Sequence, residues 1–229
     1  MITLLQTGIA DSAAVATATV TESMSLFDLA VKGGWIMIVL AFLSLVAVYI
    51  FVERWLAIKS ASKIDTHFMN NIKDNIHDGK IKSAINLCQR NDSPVARMIE
   101  KGVERIGRPL SDIQASVENV SSLEVARLEK GMPMLASISG GAPMIGFLGT
   151  VIGLVQAFYE MSKAGGNNIQ MSMLSSGIYT AMITTIGGLI VGIFAYFAYN
   201  YLVTRINHVV YSMESKTIEF MDLLNEPIN

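Results

Sequence analysis

Residues 134–161 read MLASISGGAPMIGFLGTVIGLVQAFYEM, and residues 177–203 read GIYTAMITTIGGLIVGIFAYFAYNYLV. These 55 residues hold one charged side chain, Glu160. A helix crosses the hydrocarbon core of a bilayer with about 20 apolar residues, and each stretch exceeds that. Widening the window to residues 131–204 adds only Lys163. So few charges cannot clothe a water-facing surface, and the chain reads as an integral membrane protein. Between the two spans, SKAGGNNIQ (162–170) carries the Gly and Asn of a turn. With a loop over 162–176, the two spans form a helical hairpin.

Further out, Trp35–Val52 (WIMIVLAFLSLVAVYIFV) is another uncharged run, with Trp35 and Trp55 placed as interfacial anchors. Within residues 1–34, SLFDLAVK (25–32) reads as a short helix on the membrane surface that ends at Gly33-Gly34. The opening MITLLQTGIA lacks the basic segment of a cleaved signal peptide. Of the 17 basic residues, all but Lys32 and Lys163 fall on one side of a three-span arrangement. The positive-inside rule makes that side cytoplasmic. The N-terminus is then expected outside and the C-terminus inside.

The 229 residues are 52% hydrophobic and 16% charged, against about 25% charged in a typical soluble domain. A net charge of −2 excludes a general nucleic-acid binder, which needs a basic surplus. Twenty-four of the 36 charges lie in residues 53–130, so 53–133 reads as a cytoplasmic helical domain. Its punctuation is clear: Asp78-Gly79 turns, Asn91-Asp92-Ser93-Pro94 ends one helix and starts another, and Gly107 with Pro109 ends the next. From about Ser111 one long helix is expected to run through Pro133 into the second span, kinked there. The third span is expected to continue through residues 204–229 as a helix to about Leu224. The fold class is all-α, with three transmembrane helices and long cytoplasmic extensions.

The chain offers little to conventional catalysis. Cys88 is its one cysteine, His67, His77 and His208 are dispersed, and there is no CxxC, HExxH, P-loop or GxSxG. No enzyme activity, cofactor or metal site is expected. The spans themselves are more informative. Gly146, Thr150, Gly153 and Ala157 form a small-residue stripe on the second, and Ala181, Thr185, Gly188, Gly192 and Ala195 form one on the third. Such stripes let helix backbones approach closely in lipid, and periodicity alone fits simple packing as well as a pore. Four hydroxyls at membrane depth, Thr150, Thr180, Thr184 and Thr185, add the expectation of a polar lining, because an unsatisfied polar group there is costly. Pro143, after Gly140-Gly141, marks a bend or hinge. Glu160 and Lys163 mark the outer rim. No side chain in the lining holds a proton near neutral pH, so an ion path would need a carboxylate from another chain.

These motifs also carry a family resemblance. GGAPMIGFLGTVIGLVQAF (140–158) resembles the Pro-x-x-Gly-x-x-Gly-Thr-x-x-Gly signature of the ExbB/TolQ/MotA family of inner-membrane motor proteins. GIYTAMITTIGGLIVGIFAYFAYN (177–200) is similar to that family's third-span pattern. With Glu53-Arg54 after the first span, the resemblance covers roughly residues 25–225. Chain length and the size of the cytoplasmic block are closest to the ExbB members. The resemblance implies a homopentamer whose second and third spans line a pore around the single helices of an ExbD- or TolR-like partner that supplies an Asp. It also implies a bacterial inner-membrane location with a periplasmic N-terminus, and coupling to a TonB-like or TolA-like protein. By position the family's two pore threonines fall on Thr150 and Thr185. Thr180 stands where ExbB and TolQ proteins often carry Glu, which leaves this subunit without its own proton-holding group.

Overall fold

The computed structural model describes residues 33–62, 67–163 and 171–225. The expected surface helix at 25–32 lies outside the described residues, as do residues 164–170 of the loop expected over 162–176; the rest of that stretch, 162–163 and 171–176, is helical. Within them every regular element is a helix: α1 (Trp35–Ala61), α2 (Phe68–His77), α3 (Ile81–Arg90), α4 (Pro94–Val103), α5 (Leu110–Leu128), α6 (Met132–Lys163) and α7 (Met171–Asn225). α1 and the long α6 and α7 have the length and apolarity to cross a membrane.

Local chemistry sets the boundaries of the small helices. Gly79 and Gly107 take positive φ (71° and 97°), the left-handed conformation that glycine adopts without strain, and turn the chain after α2 and before α5. Ser93 caps α4 by accepting the Ala96 N–H at 3.2 Å, and Pro94 fills the first helical position, where its missing N–H costs nothing.

The expected continuous helix through Pro133 is not what forms. α5 stops at Leu128, a short turn follows, and α6 starts at Met132. The break belongs to Gly131, whose φ of +83° is left-handed. Pro133 sits in the first turn of α6, where proline is well tolerated and bends nothing.

α7 is the spine. Its 55 residues extend about 80 Å at 1.5 Å per residue. The upper part packs against α6 and α1, and the lower part passes α4 and α5. There Phe220 is fully buried over Gly102 and Val117; a Cβ on Gly102 would lie 2.4 Å from its ring. α1 buries one stripe (Ile36, Leu40, Ala47, Ile50, Arg54, Ile58) and leaves Ile38, Phe42, Leu45 and Tyr49 exposed. Large apolar side chains open to the surroundings suit lipid or a neighbouring subunit, not water. The molecule thus has a membrane part of three helices and an extramembrane block of α2–α5 bound to the foot of α7.

Candidate functional site: the α6–α7 seam

Small residues bring α6 and α7 together backbone to backbone. A Cβ on Gly188 would lie 2.6 Å from the Ala142 carbonyl oxygen and 2.8 Å from the Gly146 Cα. One on Gly177 would lie 2.5 Å from the Ala157 Cβ, and one on Gly153 would be 3.1 Å from the Ala181 Cβ. The pairs climb one helix while descending the other, so the helices run antiparallel. Gly192 receives the ring of Pro143, whose Cγ would stand 2.5 Å from an added Cβ. α6 continues through Pro143 without interruption, with the ring seated on α7. Both stripes read from the sequence therefore meet in one seam.

At mid-span the seam holds two hydroxyls. Thr150 Oγ1 and Thr185 Oγ1 are hydrogen-bonded to each other across the helices, and each also reaches the Gly146 carbonyl oxygen at 3.3 Å. Each hydroxyl carries one proton. One of them therefore donates to its neighbour, and the neighbour donates to the carbonyl. The first oxygen keeps its lone pairs free for an outside donor. Both threonines are half-buried, on the edge where the seam opens beside the exposed Phe147 and Met182. A water or a protonated carboxyl on that face would meet an acceptor already oriented by the backbone.

The other two hydroxyls lie elsewhere. Thr184 is fully buried, donates to the Ala181 carbonyl at 2.8 Å, and fills the space left by Gly149, close to Ile36 of α1. Thr180 is half-buried one turn earlier, on the stripe that includes Gly187, and Gly187 packs on Met37 of α1. Of the four threonines expected to share one lining, Thr150 and Thr185 pair across the seam, and Thr184 is buried against Gly149 and Ile36. Glu160 and Lys163 are exposed at the end of α6, with the Lys163 ammonium 4.4 Å from the centroid of the Tyr159 ring.

The structure adds a buried charge cluster that sequence reasoning did not single out. Glu124 of α5 is 3% exposed and accepts Arg97 of α4 at 2.7 Å and Arg127 at 2.6 Å. Arg54 of α1, also buried, donates to the Arg127 carbonyl at 3.0 Å and pairs with Glu53. These bonds tie the foot of the first span to the extramembrane block. A signal existed: Ile113, Val117, Val120, Glu124 and Leu128 share one face, so a carboxylate stands on an apolar stripe.

Fold and site together define a three-span helical membrane protein whose last two spans are zipped by glycines around a paired-hydroxyl site. Residues 90–215, which include both threonines, match the MotA/TolQ/ExbB proton channel family, and the chain belongs to that family. It is 27% identical over 184 residues to a protein named as an ExbB homologue in Methanothermobacter thermautotrophicus, a match covering 80% of this chain and 64% of that protein. It is 34% identical over 118 residues to the biopolymer transport protein ExbB of Aquifex aeolicus, covering 50% and 75% of the two chains. The Tol-Pal system protein TolQ of Haemophilus influenzae is 35% identical over 102 residues, 44% of each chain.

Proposed function

We propose that the chain is an ExbB-like subunit of a motor driven by the proton-motive force across a bacterial inner membrane. Five copies form a ring, with the N-terminus periplasmic and the extramembrane block cytoplasmic. The faces of α6 and α7 that carry Thr150 and Thr185 line the central pore. An ExbD- or TolR-like partner places a single helix there and supplies the Asp that takes the proton, and a TonB-like or TolA-like protein carries the motion to the outer membrane. The subunit performs no reaction on a substrate.

The observation that carries this reading is the Thr150–Thr185 pair, anchored on the Gly146 carbonyl at mid-span with an acceptor to spare. A charge at the membrane centre costs at least about 2.5–3.5 kcal/mol. A partner Asp facing apolar walls is therefore protonated, and one facing the hydroxyl pair and its water can ionise. Alternation between the two supplies the step. Replacing Thr150→Val together with Thr185→Val keeps the shape and removes both hydroxyls. The double variant should assemble normally and lose proton-dependent uptake; normal uptake with normal assembly overturns the proposal.

A TolQ-like role is the second reading, and the identity to the Haemophilus influenzae TolQ protein favours it. Deletion of the gene distinguishes the two. Loss of nutrient uptake supports the ExbB-like role, and loss of outer-membrane integrity supports the TolQ-like one.

A further inference from the structure

Away from the seam, α1 and α7 enclose a cavity of about 230 Å³ at the positively charged end of the spans. Lys59 and Ser62 of α1 and Arg205 of α7 stand around it, above Trp55 and Tyr201. Among the described residues no Asp or Glu lines it. Lys59 Nζ lies 5.2 Å from the centroid of the Trp55 ring, and the Arg205 guanidinium lies 5.4 Å from that of Tyr201. Both cations are thus held over aromatic faces. Arg205 donates its Nε–H to the Tyr201 hydroxyl at 3.3 Å, which leaves the planar pair of terminal nitrogens to grip a phosphate.

Trp55 and Tyr201 also wall a second, larger groove of about 480 Å³ that continues toward the membrane centre. It is completed by Phe51, Phe194, Phe197 and Ala198, so it offers aromatic and apolar contacts alone. From Phe194 to Arg205 is about 16 Å along the helix, comparable to the ~15 Å hydrocarbon depth of one leaflet. The order along this face is apolar, then aromatic, then cationic, which is the profile of a phospholipid from chain to headgroup.

We propose that this face binds an anionic phospholipid of the adjacent leaflet, with its phosphate between Lys59 and Arg205 and an acyl chain along Phe51, Phe194 and Phe197. The assignment is independent of the α6–α7 seam. It gives Lys59 and Arg205 a ligand in addition to their part in orienting the chain.

The chain's two tryptophans supply the probe. In a Trp35→Phe background the remaining Trp55 reports on the groove. The full chain in bilayers is titrated with brominated phosphatidylglycerol or brominated phosphatidylcholine, and quenching of Trp55 is followed. The expected preference for phosphatidylglycerol is about 30-fold, from two basic side chains beside an anionic lipid. Lys59→Gln with Arg205→Gln should bring it close to unity. Lys59→Arg should retain it, as should Lys101→Gln with Arg108→Gln in the extramembrane block. Both pocket cations are exposed, so the double variant should keep the wild-type thermal transition. Equal quenching by the two lipids, an undiminished preference in the double variant, or loss of the preference in inorganic phosphate at millimolar concentration would each overturn the proposal.

Discussion

Glycine placement decides which residues in the spans tolerate change. Gly188 and Gly141 look alike in the sequence, yet a Cβ at Gly188 would strike the backbone of α6, and one at Gly141 would meet nothing within 4 Å. Gly188→Ala should destabilise the protein by about 1–3 kcal/mol through overpacking. Gly141→Ala should stabilise it by about 0.5–1 kcal/mol through helix propensity. Thermal unfolding of the two variants in detergent micelles reads the opposite signs. Cys88 gives a second contrast. Burial, with the Glu100 carboxylate adding to it, pushes the thiol up from its ordinary 9.0 to about 12. It should react with maleimide at pH 8 far more slowly in the folded chain than in the denatured one. Because the folded state holds this proton more tightly, the stabilisation is complete below pH 9 and is lost as pH rises from 9 towards 12. The seam threonines were legible because their spacing sets them among the small residues. That Thr184 turns away from them was not, because consecutive threonines lie about 100° apart and only the place of α1 decides what each meets.

Helix termini and helix faces followed the local chemistry wherever that chemistry was unambiguous. Ser93-Pro94 and Asp78-Gly79 act as the sequence suggests, and α7 runs through Leu224 to Asn225. The junction before α6 did not follow, because Gly131 and Pro133 compete as punctuation. The glycine's left-handed turn ends α5 before the proline can kink anything. Not every charge on α5 faces solvent, since Glu124 is buried between Arg97 and Arg127. A carboxylate there is stable only while its partners remain. Glu124→Gln should lower the stability of the extramembrane block by about 1.5–3 kcal/mol, the worth of hydrogen bonds to a charged group. The corresponding exposed change, Glu118→Gln, should stay within about 0.5 kcal/mol. Urea titration followed by circular dichroism compares the two.

At the scale of the whole molecule, charge is divided with a purpose. The extramembrane block carries most of it, and the spans keep almost none apart from the rim pair Glu160 and Lys163. α7 joins the two regions as one uninterrupted helix from the seam to Phe220, so a shift at the hydroxyl pair has a stiff element along which to reach the block. The three-span architecture was legible from charge density alone. The docking of the block on α7 was not, because it depends on Gly102 leaving room for Phe220 across 118 residues of sequence. The proposed proton path runs along the seam to a carboxylate that the described seam residues do not supply. Proton flux into proteoliposomes under an imposed gradient tests it, with the chain alone, with an ExbD-type partner, and with that partner beside the Thr150→Val, Thr185→Val variant. Flux is expected only in the second case. Flux through the chain alone, or undiminished flux through the double variant, would contradict it.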